Sequence, residues 1–154
     1  MILQRRSPLF AGRLEATMTL NPYISFGGEC ETAFRFYEQC LGGTIVTMLT
    51  WGGSPMATEV SPEWREKIAH ATLTVGAAVL AGADVTPDKY QRPAGFQVLL
   101  GIDDVGEAER IFQALSENGT VHMAMAKTFW AERFGVVTDR FGVPWSINCE
   151  RPRS

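Results

Sequence analysis

One internal repeat constrains this chain more than any local signal. Around Ala33-Phe34-Arg35-Phe36-Tyr37, and again around Ala108-Glu109-Arg110-Ile111-Phe112, an acidic opening leads into an amphipathic run. Each run meets a glycine, Gly43 or Gly119, and a β-rich string follows at 44–48 or 120–124. The offset is 75 within the helical part (33 to 108) and 76 from the glycine onward (43 to 119), so one residue has been inserted. A strand-like segment precedes each copy, at 21–26 and at 96–102. Self-similarity at a fixed spacing implies two copies of one supersecondary unit packed together. Two strand-helix-strand modules therefore predict a pseudo-twofold architecture with a site between the halves.

The bulk numbers agree with a soluble globular chain. At 154 residues it makes one domain or two small modules sharing a core. A hydrophobic share of 45% beside 20% charged residues is too apolar for disorder. No apolar run reaches the ~18 residues of a membrane helix. The net charge of −3 excludes a broad basic footprint for nucleic acid. The three cysteines, Cys30, Cys40 and Cys149, have no CxxC spacing and cannot all pair, which fits a reduced, cytoplasmic thiol inventory better than a disulfide framework. Residues 1–17 carry Arg5, Arg6 and Arg13 against Glu15 without a helical period. They lack the apolar stretch of a signal peptide and read as a dispensable extension, with the domain starting near Met18.

The remainder divides into module one at 18–83, a linker at 84–94, module two at 95–150 and a tail at 151–154. A strand is expected at about 20–27 and a helix over 29–41, with Ala33, Phe36, Tyr37, Cys40 and Leu41 on one face and Gly42-Gly43 ending it. A second strand follows at about 44–50, then a Gly/Ser/Thr/Pro-rich loop in which Ser61-Pro62 opens a helical turn. Two strands at about 69–75 and 78–83 turn at Gly76. In the second copy Asp103 or Asp104 caps a helix that Gly119 stops, and strands follow at about 120–126, 133–138 and 144–149. Phe141-Gly142 supplies the last hairpin turn. The order βαβββ, twice, predicts an α+β fold of paired curled mixed sheets around a cavity, with a helix on the outer face of each.

These motifs carry a family resemblance over roughly residues 18–150. The chain resembles the vicinal oxygen chelate superfamily, which includes glyoxalases, bleomycin-resistance proteins and extradiol dioxygenases, and within it the PhnB-like branch, often labelled 3-demethylubiquinone methyltransferase. The segments are Asn21-Pro22-Tyr23-Ile24-Ser25-Phe26, the aromatic helix motif, Ile68-Ala69-His70-Ala71, Lys127-Thr128-Phe129-Trp130-Ala131, and Thr138-Asp139-Arg140-Phe141-Gly142-Val143-Pro144-Trp145-Ser146-Ile147-Asn148. The resemblance implies a cavity whose enzymes hold a divalent metal through His and carboxylate side chains. Alignment places those ligand positions at or beside Pro22, near Leu80, near Gln97 and at Ser146, none of them His, Asp or Glu. No metal or other cofactor is therefore expected at these positions, although a divalent ion held elsewhere stays open. The methyltransferase label has no support from the residues: Gly27-Gly28 follows a strand, but Glu29 and Cys30 come next and no Gly-rich cofactor loop appears.

His70 is the best single general-base candidate, because histidine alone ordinarily titrates near neutrality; a packed strand histidine is the competing reading. His122 lies opposite Val46 in the repeat and reads as a tolerated, exposed histidine. Tyr23, Trp51, Trp130 and Trp145 are expected to line the cavity, Trp51 and Trp130 as closers of corresponding strands, with the Gln97 amide placed to orient a ligand. Asp139-Arg140 reads as turn structure, and Ser25, Ser146 and Cys149 lack an activating partner. Two functions remain: sequestration of an aromatic or oxygen-rich small molecule, or a metal-dependent lyase, isomerase or dioxygenase. Open sheet edges also predict a homodimer.

Overall fold

The computed structural model describes residues 18–150; the predicted extension at 1–17 and tail at 151–154 lie outside the described residues. Module one runs β1 (Tyr23–Phe26), α1 (Cys30–Leu41), β2 (Thr44–Thr50), β3 (Ile68–Val75) and β4 (Ala78–Asp84), with a short 3-10 turn at Pro62–Trp64 before β3. Module two runs β5 (Val98–Gly101), α2 (Val105–Ser116), β6 (Thr120–Ala126), β7 (Ala131–Thr138) and β8 (Pro144–Glu150). The sheets have matching orders, β1-β4-β3-β2 and β5-β8-β7-β6. In each, the first strand is parallel to the last, and the last three form an antiparallel meander. The α+β class and the doubled βαβββ order are as the repeat predicts.

Each helix buries one stripe on one face of its own sheet. Ala33, Phe34, Tyr37 and Cys40 do so from α1, and Ala108, Ile111, Phe112 and Leu115 from α2. The strands answer with Ile24, Phe26, Ile68, Leu73 and Leu80 in one sheet and Val137, Trp145, Ile147 and Cys149 in the other. Burying these side chains is the main favourable contribution to the fold. The opposite face of each sheet is left open, which is why Tyr23, Leu49, Leu99 and Trp130 are exposed.

The repeat glycines have a different task from the one the sequence suggests. The left-handed residues that end the helices are Gly42 (φ 71°) and Asn118 (φ 57°). Gly43 and Gly119 are needed for close approach instead. A Cβ on Gly43 would lie 2.5 Å from the Thr74 carbonyl oxygen, and one on Gly119 would collide with that of Thr138. Thr74 and Thr138 close equivalent turns of the two modules, so the repeat records the same tight contact made twice.

Asp84 is not a linker residue. It ends β4, is 1% exposed, and its carboxylate accepts from the backbone N–H groups of Gly28 (2.9 Å), Cys30 (3.0 Å) and Ile68 (2.9 Å). It thereby caps α1 from 54 positions away, since Glu29 at the helix start makes no side-chain capping bond. In α2 the cap is local: Asp104 accepts from Glu107 N–H at 2.8 Å.

The modules meet through their helices and the β7–β8 turn, and the two sheets share no hydrogen-bonded strands. Arg110 Nη2 of α2 donates to the Cys40 carbonyl of α1 at 3.0 Å. The Tyr37 hydroxyl donates to Asp139 Oδ2 at 2.5 Å, and the Trp145 indole N–H donates to the same oxygen at 2.8 Å. The other oxygen accepts from the N–H groups of Phe141 and Val143, closing the turn. Arg140 lies 4.5 Å from the Phe36 ring centroid and 4.9 Å from that of Phe141. The two sheets therefore do not close around one cavity within the chain; each presents its open face separately.

Candidate functional site

On the open face of sheet one, β1 and β3 bring Tyr23 and His70 together across β4. Their rings stack with centroids 5.9 Å apart, and the Tyr23 hydroxyl lies 3.4 Å from His70 Nδ1. Burial, with the Cys30 thiol adding to it, raises the Tyr23 hydroxyl above its ordinary value of 10.0, so it stays protonated at neutral pH. Tyr23, Ser25, Lys89, Gln91, Pro93 and Phe96 border a shallow pocket of about 280 Å³.

Sheet two presents a second pocket, of about 510 Å³, bordered by Gln97, His122, Val136, Thr138 and Pro144. Pro93 and Phe96 of the inter-module segment line both pockets, so this strap runs between the two open faces. Gln97 Oε1 accepts the Ser146 hydroxyl at 2.5 Å, which leaves the Gln97 amide nitrogen free to donate. Asn148, two residues along the same face of β8, has a buried Oδ1 without a hydrogen-bond partner. His122 Nε2 is 2.8 Å from the Thr138 hydroxyl. His122 is exposed, as its place opposite Val46 in the repeat suggests, and it borders the second pocket beside Gln97.

Trp145 must be reassigned. It is 1% exposed, faces α2 and the modular junction, packs 5.2 Å from the Tyr37 ring and donates to Asp139. It belongs to the core and cannot wall a ligand site. Trp130 is 44% exposed and packs edge-on between Phe129 and Phe134 at the β6–β7 hairpin, on the open side of sheet two. Trp51 does not correspond to it: Trp51 follows β2 directly, whereas Trp130 immediately precedes β7. Trp51 instead donates its indole N–H to the Asp84 carbonyl at 3.2 Å and lines a separate cleft inside the long β2–β3 loop. Of the expected residues, the structure thus joins Tyr23 to His70, puts Gln97 and Trp130 on the other sheet, and leaves Trp51 and Trp145 elsewhere.

The doubled βαβββ order with open sheet faces defines a glyoxalase-fold protein, and the sequence comparison agrees. Residues 19–147 match the Glyoxalase/Bleomycin resistance protein/Dioxygenase superfamily, and the chain belongs to it. It is 36% identical over 139 residues to Protein YjdN of Escherichia coli (strain K12), covering 85% of this chain and 95% of that one. Among solved structures it is similar to protein PA1353 from Pseudomonas aeruginosa, with 44% identity, a TM-score of 0.81, and 88% of this chain and 100% of that chain covered. It also shares the fold of a putative 3-demethylubiquinone-9 3-methyltransferase, PhnB protein, from Bacillus cereus, with 21% identity, a TM-score of 0.71, and coverage of 86% and 99%.

The residues present do not fit the divalent metal of the superfamily's enzymes. Pro22 has no side-chain donor, Leu80 is buried on the helix side of its sheet, and Gln97 and Ser146 are hydrogen-bonded to each other. Among the described residues, no three His, Cys, Asp or Glu side chains gather as a metal would require. All three thiols are buried, and burial is the leading cause that raises each above its ordinary value of 9.0, so none is a poised nucleophile. No helix among the described residues is long and apolar enough to cross a membrane.

Proposed function

We propose that this chain is a PhnB-like small-molecule-binding protein that holds an aromatic or oxygen-rich ligand against its open sheet faces without the usual superfamily metal. The observation that carries the reading is the row Gln97–Ser146–Asn148. At two positions where the resemblance implies metal ligands this chain has a neutral amide, Gln97, and a hydroxyl, Ser146, and the neighbouring Asn148 has an unused buried acceptor. Such groups orient a carbonyl or hydroxyl, while Tyr23, Leu99 and Trp130 offer apolar walls. In this reading His70, held beside the Tyr23 hydroxyl, is the group available to accept a proton from a bound molecule.

The protein acts as a homodimer in the cytoplasm. A second copy laid over the open faces would turn two shallow pockets into enclosed ones and cover the exposed Leu99 and Trp130. Light scattering should give twice 17.0 kDa at micromolar concentration, and a mass of 17.0 kDa would reject the dimer. Metal analysis of freshly purified protein, followed by calorimetric titration of chelator-treated protein with planar aromatic compounds, tests the site. Binding without metal supports the proposal. Stoichiometric zinc, manganese, nickel or iron whose removal abolishes binding would favour a metal-dependent enzyme instead. Trp130→Ala should weaken a ligand by more than about 1 kcal/mol, the scale of a lost aromatic contact. His70→Gln should leave binding intact and abolish any turnover.

A further inference from the structure

The cleft in the β2–β3 loop is distinct from both open-face pockets, touching that of Tyr23 only through Lys89, which borders both. It has a volume of about 550 Å³ and is walled by Trp51, Met56, Val60, Trp64 and Val85, with Glu59, Ser61, Thr86 and Lys89 supplying the polar lining. Neither Tyr23 and His70 nor Gln97 and Trp130 border it. Module two cannot build its counterpart, because the equivalent connection has four residues (127–130).

The loop around the cleft is held by hydrogen bonds of its own. The Trp51 indole donates to the Asp84 carbonyl, the Ser54 hydroxyl donates to the Trp51 carbonyl at 2.7 Å, and Gly52 N–H donates to the Arg65 carbonyl at 2.8 Å. Trp64 is different: its indole N–H is buried and has no acceptor. A buried donor left unmade is costly, and a partner entering the cleft can relieve that cost. Lys89 is exposed at the same cleft, and none of the ion pairs among the described residues involves it. Two apolar indole walls, an unused N–H and an ammonium outside any ion pair, whose charge also acts on the neighbouring Asp88, together describe a ligand with a flat hydrophobic body and an acceptor group. Glu59 and Lys89 offset each other in the lining, so the acceptor preference comes from the Trp64 N–H and from how close the ligand sits to Lys89, not from net charge.

We infer that this cleft is a second small-molecule site, for planar aromatic molecules bearing an acceptor group, such as an arene carboxylate or sulfonate, that can reach the Trp64 N–H. It does not rest on the open-face ligand reading, and the two fail separately.

The test uses the full chain and two dyes, the anionic 1-anilinonaphthalene-8-sulfonate and the uncharged N-phenyl-1-naphthylamine. The anionic dye should bind with one equivalent per chain in this cleft. Lys89→Ala should weaken it by about fivefold, the upper range for a surface charge contact, while the neutral dye changes by less than about twofold. Trp64→Phe keeps the wall and removes the N–H, and should also weaken the anionic dye by about fivefold. Met56→Asp, at a residue already 46% exposed, places a carboxylate in the apolar wall and should weaken both dyes without unfolding the protein. Unchanged near-ultraviolet circular dichroism and melting temperature confirm that each variant is folded. Because Lys89 borders both pockets, the decisive variants are those confined to the cleft: wild-type dye affinity in Trp64→Phe and Met56→Asp would overturn the inference, as would loss of the dye on Tyr23→Ala or Trp130→Ala alone. The last outcome would place the dye on the open faces and leave the proposal of the preceding subsection standing.

Discussion

The two modules agree element by element: strands of 4, 7, 8 and 7 residues and a helix of 12 occur in the same order in each. They differ in their connections. The β2–β3 loop spans 51–67 where β6–β7 spans 127–130, and the β3–β4 turn spans 76–77 where β7–β8 spans 139–143. Each expansion carries a feature that the repeat does not share. The long loop of module one encloses the Trp51–Trp64 cleft, and the longer turn of module two brings Asp139 to Tyr37. The elements satisfy packing, which both copies must solve alike; the loops are free to diverge because they lie at the surface.

The buried carboxylates follow the same division. Asp84 fastens parts of its own module, whereas Asp139 fastens one module to the other. Asp139→Ala should therefore have the largest effect. It strands the Tyr37 hydroxyl, the Trp145 indole and two backbone N–H groups, at a cost of about 3 kcal/mol or more. Denaturant unfolding measures the loss, and hydrogen exchange should show protection falling in both modules. Asp84→Ala strands three backbone donors and should cost about 2–3 kcal/mol. Its exchange should rise first around the start of α1 and β3. Equal loss of protection across the molecule in both variants would erase the contrast.

The glycine pair tests the sameness of the modules. Gly43→Ala and Gly119→Ala each push a Cβ into a strand-end carbonyl, so each should cost about 2 kcal/mol by thermal melting. A large effect in one module and none in the other would mean that the repeat is kept for different reasons in its two halves.

Alkaline pH should weaken the fold at the junction. The Tyr37 hydroxyl is raised well above 10.0, first by burial and then by the Asp139 charge beside it, and the Cys30 thiol is raised above 9.0 by burial and by Asp84. The unfolded chain thus releases these protons at lower pH than the native one. Their stabilising contribution is complete below about pH 9 and is lost progressively above it. Urea midpoints from pH 7 to pH 10.5 should fall, and Cys30→Ala should flatten the first part of the decline. A midpoint that holds steady across this range would contradict the assigned shifts.

The smallest expected difference lies at the helix starts. Asp104→Ala should cost about 1 kcal/mol because it removes a local cap, whereas Glu29→Ala should cost almost nothing because Asp84 caps α1 instead. Equal losses by urea titration would show that the distant carboxylate does not replace the local one.

Much of the fold is legible in the chain because its signals are local. The period of the helical stripes, Asp104 before α2, and glycines at positive φ in the Gly76 and Gly142 turns all act within a few residues of where they stand. The bounds of β2 and β6 follow from their β-branched and apolar composition in the same way. The candidate site is less legible. A period of two in a strand says that neighbouring residues face opposite ways, without saying which face is covered. On β8 all of 144–147 are buried, so alternation gives no hint that Trp145 faces the core while Ser146 faces Gln97. Asp84 looks like a loop residue until the strand that places it against three distant N–H groups is known.

By itself, then, the sequence determined the doubled module, the order of its elements, the Asp104 cap and the Gly76 and Gly142 turns, because these depend on backbone geometry and on neighbours in the chain. Tertiary structure decided which aromatic side chain became core, which carboxylate joined the modules, and that the sheets meet through their helices with their other faces open. Those outcomes depend on contacts between residues as far apart as Tyr37 and Asp139, 102 positions in the sequence, and no local pattern encodes such a pairing.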